Sequence, residues 1–393
     1  MSRKFAVLFL IFWLLGCLEE RNVEKRRGES VGLTIKECVD IEKREVKGYL
    51  LGVNFEKGEL YFEDELSGKK YHKVIIYDLT KLQPKRVLRV SAGGEEFPDK
   101  MSALFFMKYV KRRYFLVDLF TKILVYDQNF KFLYPVMFHS LRRYFLDFFE
   151  KDGSYYFFIG INNFTGKINK ISGEIYKIIP NRKPKLVEKL VKFEAKDNYY
   201  KNTEKNKNIY QPVLWVTPFG FEKEGSLYYF YGEKKEYRYY KIATRKEVII
   251  HLPYLKCKKY SKKEAEEISK FFPESNYTRW LLEHGYKFIY EPYPSPVCFF
   301  TIFDVGKGKL GLVTLVNVKE KKYRIDVIEA ETGNYLESLW LPFGKVFLQA
   351  TGTYHGQLPY RNFLNLDKGI YIYQDWDEEL DIFTTRIIKF KLK

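Results

Sequence analysis

Cysteine is scarce, with four residues in a chain of 393. That count excludes a small fold stapled by a dense set of disulfides. There are five histidines: His72, His139, His251, His284 and His355. No two of them stand at a metal-ligand spacing, so each reads as solvent-facing or hydrogen-bonded within the fold. The chain carries no G-x-S-x-G elbow, no phosphate-binding glycine loop and no C-x-x-C pair. These absences remove enzyme classes that depend on a local motif. A site assembled from distant segments leaves no such signature. No metal and no cofactor is implied.

Methionine (4) and proline (14) are also few, whereas phenylalanine (34) and tyrosine (33) abound. Aromatic side chains suit the half-buried, pleated surface of a sheet. Hydrophobic residues make up 46% of the chain, which excludes disorder over most of its length. The formal net charge is +18.

The first residues are MSRKFAVLFLIFWLLGC. Arg3 and Lys4 precede an uncharged apolar run from Phe5 to Leu15. A spanning helix needs about 20 apolar residues, so this run fits the core of a secretory signal peptide. Leu14-Leu15-Gly16-Cys17 resembles the lipobox of bacterial lipoproteins. The resemblance implies cleavage after Gly16, acylation of Cys17 (palmitate among the acyl chains) and a lipid-anchored domain outside the cytoplasm. Residues 1–16 then form the signal peptide. Residues 17–30 form the lipidated cysteine and a flexible tether, LEERNVEKRRGES after Cys17. Leu18, not aspartate, follows the cysteine; in a host with two membranes this pattern implies the outer one. The remainder, 31–393, is the folded domain of an envelope protein.

From Thr34 onward, short apolar–aromatic runs alternate with Gly, Asn, Asp and Lys clusters, which argues for an all-β sandwich, barrel or propeller. Internal repetition selects the propeller. A unit containing a strand, a turn and a further apolar run appears as KVIIYDLTKLQPKRVLRV from Lys73 and KILVYDQNFKFLYPV from Lys122. It recurs from Gly173, Tyr237, Tyr323 and Thr385. Aligned on Tyr77, Tyr126, Tyr176, Tyr240, Asp326 and Ile388, taken as outer-strand positions, the gaps are 49, 50, 64, 86 and 62. A basal period near 50 fits a four-stranded blade. Residues 114–133, with Asp118 and Asp127 at two strand ends, resemble the NHL-type blade, and the whole resembles six-bladed propeller lipoproteins. Six blades are expected, with seven as the alternative. Residues 32–42 would close the ring against the last blade, hiding its edge.

One stretch breaks the β pattern. Ala265, Ile268, Phe271 and Phe272 fall at helical spacing, and Ser261 with Glu264 forms a capping box. A helical insertion at about 259–290 is expected between blades four and five. Cys257 and Cys298 flank it. Buried thiols are the simpler reading; a bridge between these two would clamp the base of the insertion, and Cys38 is left over. The acidic run QDWDEELD, Gln374 to Asp381, reads as a charged hairpin turn between strands and not as a calcium loop.

The positive charge favours anionic neighbours: headgroups, acidic glycans or nucleic acid. Export argues against nucleic acid. Candidate contacts are 108–113 (KYVKRR), 201–207 (KNTEKNK) and 256–263 (KCKKYSKK), against the plain alternative of a solvated surface. The expected function is a membrane-anchored module that binds a protein or glycan, with a propeller enzyme (glycan hydrolase, lyase or lactonase) as the alternative. The expected partner besides that ligand is membrane lipid, through acylated Cys17.

Overall fold

A computed structural model of the chain describes residues 35–392, apart from 37, 65–69, 93–99, 101–103, 119–121, 138–142, 165–167, 191–192, 197–201, 204–206, 214–218, 231, 270–275, 293–295, 318, 345–361 and 378–381. Gly16 and Cys17 lie outside the described residues, as do His139 and His355.

Six antiparallel sheets form a ring, a six-bladed β-propeller. Blade 1 runs through Tyr49–Asn54, Glu59–Glu63, Tyr71–Asp78 and Pro84–Ser91. Blade 2 comprises Leu104–Val110, Arg113–Asp118, Lys122–Asp127 and Phe132–Met137. Blade 3 comprises Arg143–Lys151, Ser154–Phe164, Ile168–Lys177 and Lys185–Lys189, with Phe193–Lys196 added to its third strand. Blade 4 spans Phe219–Lys223, Ser226–Phe230, Glu236–Lys241 and Lys246–His251. Blade 5 spans Thr301–Gly306, Lys309–Asn317, Lys322–Glu329 and Tyr335–Pro342. Blade 6 takes Phe363–Asn365, Ile370–Asp377 and Ile382–Leu392 from the C-terminal end, and its fourth strand, Cys38–Lys47, from the N-terminal end.

That last pairing closes the ring, from Cys38 opposite Leu392 to Lys47 opposite Thr384. It lies a few residues further along than expected. The preceding pair, Ile35–Lys36, instead adds in parallel to the outer strand of blade 5.

The middle strands of the blades are buried on both faces, because each sheet packs against a neighbour on either side. Six apolar clusters result, each at one junction. Tyr61 and Leu116 lie between blades 1 and 2, and Phe115 and Phe157 between blades 2 and 3. Phe158 and Tyr229 join blades 3 and 4, and Phe230 and Leu312 blades 4 and 5. Tyr323 and Tyr371 join blades 5 and 6, and Leu60 and Ile372 close the circuit between blades 6 and 1. The Tyr323 and Tyr371 hydroxyls meet at 2.7 Å, which satisfies two polar groups inside an apolar junction.

All six repeat positions fall on third strands, not outer ones; in blades 1 to 5 the following apolar run supplies the fourth strand, and in blade 6 Cys38–Lys47 does. Leu79, Ile242 and Phe390 donate their N–H to the carbonyls of Gly58, Gly225 and Gly369, and each stands two residues after its aligned position. In blade 5 the same bond, to Gly308, comes from Ala330. Ile328 is therefore the equivalent residue there, and the expected Asp326 is two positions early. Asp326 takes hydrogen bonds from Ser338 and Arg324.

The helical insertion lies between blades 4 and 5. Helix α1 is Lys262–Ser269 and helix α2 is Asn276–Glu283. The capping box is formed: Ser261 N donates to Glu264 Oε2 at 2.8 Å, and Glu264 N donates to Ser261 Oγ at 3.3 Å. Ala265 is buried, while Phe271 and Phe272 fall outside the described residues. The insertion also recruits the link between blades 3 and 4. Asn208–Val213 pairs in parallel with Lys287–Pro292, and Asn202–Thr203 pairs with the first of these. This seventh sheet has three strands and is not a blade.

Candidate functional site

Alternating strand direction places the turns between first and second strands of all blades at one end of the ring. First strands of successive blades approach one another around the axis, so their side chains meet there. Lys108 of blade 2 donates from Nζ to Asp147 Oδ1 of blade 3 at 2.6 Å and to the Phe148 carbonyl at 3.2 Å. Asp147 also accepts from the backbone N–H groups of Phe148, at 2.8 Å, and of Glu222 in blade 4, at 2.7 Å. Glu222 Oε2 lies 4.0 Å from Lys108 Nζ. Lys223, the next residue, is buried. Its Nζ donates to Asp304 Oδ1 and the Gly306 carbonyl of blade 5, and to the Lys309 carbonyl at 3.1 Å.

Burial works against the charge of Lys108, but Asp147 and Glu222 outweigh it and hold its pKa above the ordinary lysine value. Burial pushes the Glu222 carboxyl up; Asp147 and Asp304 add to this, and Lys108 opposes it.

The same end carries a polar tie at the remaining junctions. Lys368 Nζ of blade 6 reaches the Phe55 carbonyl of blade 1 at 2.5 Å. Lys57 Nζ of blade 1 stands 3.6 Å from the Tyr109 ring centroid of blade 2. Lys307 N of blade 5 donates to Asp367 Oδ2 of blade 6 at 3.1 Å. The side chains of Lys57, Lys108, Lys223 and Lys368 thus link neighbouring blades. Chain spacing hid this: Lys108 and Asp147 are 39 residues apart, Lys223 and Asp304 81.

Three carboxylates converge on the axial end, but Asp147 and Asp304 are held by lysines. Among the described residues, no group of three or more His, Cys, Asp or Glu side chains could hold a metal ion. His72 Nδ1 contacts Glu63 at 2.6 Å, His284 Nδ1 contacts the Trp280 carbonyl at 2.7 Å, and His251 is exposed.

Of the basic runs, 108–113 forms the first hairpin of blade 2, and 256–263 leads into α1. Part of 201–207 falls outside the described residues. Asp127 Oδ1 accepts from the N–H groups of Asn129 and Lys131, at 2.8 and 2.9 Å, so it caps the turn as its position implies. Asp118 is buried at the end of its strand. Asp375 and Asp377 end one strand and Ile382 begins the next; 378–381 lie outside the described residues. The Cys257 and Cys298 sulfurs are bonded at the base of the insertion, beside the bridge between Lys258 and Val297.

No family model and no curated protein matches this chain. Among solved structures, it is similar to a DUF4221 family member from Bacteroides vulgatus, at 9% identity and a TM-score of 0.49, over 91% of this chain and 98% of that one. It is similar to a protein from Bacteroides fragilis described as a candidate exported protein, at 12% identity and a TM-score of 0.43, over 91% and 100%. A luciferin-regenerating enzyme gives 10% identity and a TM-score of 0.38, over 88% and 95%. All three scores lie below 0.5, and the architecture rests on this chain's own strand pairing.

Proposed function

We propose that this chain is an exported, lipid-anchored propeller that binds a protein or an anionic glycan outside the cytoplasm. The observation that supports binding is the fate of the axial polar groups. Asp147 and Asp304 are spent on the lysines and N–H groups of neighbouring blades, which fixes the ring and leaves hairpins and insertion as the recognition surface. Export and anchoring rest on the run Arg3 to Cys17. Among the described residues, no helix is long and apolar enough to cross a membrane. With Leu18 after the cysteine, the outer membrane is the proposed site in a two-membrane host.

Anchoring is tested with the full chain and its Cys17→Ser variant, expressed in a bacterium fed labelled palmitate. The wild type is expected to take up label and stay with the envelope; the variant is expected to lose both. Equal retention of the two proteins would refute the lipid anchor.

One observation favours the enzyme as a second reading. Burial holds Glu222 towards its neutral form, and its own N–H donates to Asp147. Hydrolysis of envelope glycans by the wild type but not by a Glu222→Gln variant would establish it.

A further inference from the structure

Three hairpins at the axial end share one loop length. Lys151 pairs with Ser154, Lys223 with Ser226 and Gly306 with Lys309, each across a two-residue turn. The second turn residue is glycine each time: Gly153 (φ 72°), Gly225 (φ 77°) and Gly308 (φ 66°). Blade 2 makes the same turn between Val110 and Arg113. There the two residues are Lys111 (φ 41°) and Arg112 (φ 70°); the first matches Asp152 (φ 50°) and Glu224 (φ 49°) in blades 3 and 4, and Arg112 takes the left-handed position that glycine holds in the other three. Arg112 stands where its three siblings carry glycine, beside a second cation, Lys111. A strained position of this kind points to function.

The surroundings indicate the ligand. Lys111 and Arg112 are exposed. Arg113 donates from Nη1 to the Tyr134 hydroxyl at 2.6 Å, and its guanidinium lies 4.6 Å from the Tyr155 ring centroid. The Tyr155 hydroxyl is tied to the Lys111 carbonyl at 2.6 Å, which fixes this ring against the hairpin. On the other side Lys57 stands over Tyr109. Exposed Glu56 and Asp152 stand at the neighbouring tips, where blade 2 carries Lys111 and Arg112.

We propose that the hairpin 110–113, with Lys57, Tyr109 and Tyr155, binds a short stretch of acidic polysaccharide. This deepens the binding reading above and rests on it. A uronate presents a carboxylate beside the apolar C–H face of a sugar ring, which matches an aromatic ring carrying a cation. Single-stranded nucleic acid is set aside by the export read from Arg3 to Cys17. At an anionic bilayer Lys111 and Arg112 would contribute only about 1 kcal/mol each, and the tip adds no apolar side chain to strengthen that hold.

The test uses the detergent-solubilised full chain and sodium polygalacturonate, with calorimetry at low and physiological salt. The Lys111→Asn/Arg112→Gly variant installs a favoured turn, so its melting temperature should hold or rise by roughly 1–2 °C while affinity falls about tenfold or more. Lys262→Asn/Lys263→Asn removes the same charge from α1 and should leave binding unchanged. Equal loss in both variants, or full binding by the first, would overturn the placement and leave glycan binding standing. Absence of binding by the wild type would overturn the glycan itself, while palmitate labelling reports separately on the anchor. Tighter, hairpin-dependent binding to anionic vesicles or to oligo-dT would overturn the ligand class.

Discussion

Lys108 and Asp147 join blades 2 and 3 at 2.6 Å, the lysine side chain 28% exposed and the aspartate 7%. The pair is a structural tie whose aspartate is out of water. Lys108→Met would leave Asp147 with only its two backbone donors. A loss of about 2–3 kcal/mol is expected, below the range for a fully buried pair because the lysine is partly solvated. The double variant Lys108→Met/Asp147→Leu should recover much of it. Urea denaturation of the four proteins reads the coupling, and additive losses would show that the tie contributes nothing.

Acid sensitivity is expected to divide between two carboxyls. The N–H of Lys81, then Lys85, hold Asp78 at about 2, below its ordinary 3.8. Its contribution is present above the unfolded value and lost as pH falls through about 2. Glu222 is shifted the other way, so its contribution is complete below its ordinary value of 4.5 and lost as pH rises through the raised one. Asp78→Asn should flatten the melting-temperature profile on the acid side, and Glu222→Gln should flatten it above 4.5. Melting curves across the pH range check both slopes.

Cys257 and Cys298 close a loop with a sequence separation of 41. In protein exported to an oxidising compartment, alkylation is expected to miss both cysteines until a reductant is added. On the chain-entropy account the bridge contributes roughly 3–4 kcal/mol. Cys257→Ser/Cys298→Ser should therefore speed amide exchange in α1 and α2 before it touches blades 1 and 2. Alkylation of both residues without reductant would establish the thiol form.

Blade number was legible because the unit repeats locally: Tyr77, Tyr126 and Tyr240 precede polar residues at matching places in their third strands, whereas the closing strand, which repeats nothing, was placed several residues early. Blade 5 was misaligned by two: Ile328 is the residue equivalent to Tyr77, and Glu329 after it is the polar residue that matches Asp78, while Asp326 is buried and paired with Arg324 and Ser338. The hairpin glycines Gly58, Gly153, Gly225, Gly308 and Gly369 are a clearer periodic mark, and against them Arg112 stands out. The axial ties were not legible. Lys223 and Asp304 belong to different repeats, and only ring closure brings them together. The recruitment of Asn208–Val213 to the insertion was hidden for the same reason: its partner strand is Lys287–Pro292, beyond all of blade 4.

Gly52 separates close packing from turn strain. It sits in the first strand of blade 1, and a Cβ there would fall on the backbone carbonyl oxygen of Met107 in blade 2. A carbonyl within a ladder cannot swing aside as a side-chain tip can, so Gly52→Ala must push two blades apart. A loss of about 3 kcal/mol is expected, the upper end for overpacking. Gly58→Ala is the control, with φ at +61° and nothing within 4 Å of the added carbon. It carries only the left-handed backbone penalty of roughly 1–2 kcal/mol. Because blades 1 and 2 share one apolar cluster with the Lys57–Tyr109 contact beside it, Gly52→Ala should also weaken polygalacturonate binding, whereas Gly58→Ala should not. Urea denaturation and calorimetry on both variants check the two losses, and equal destabilisation would show that blades 1 and 2 do not meet as closely as Gly52 and Met107 require.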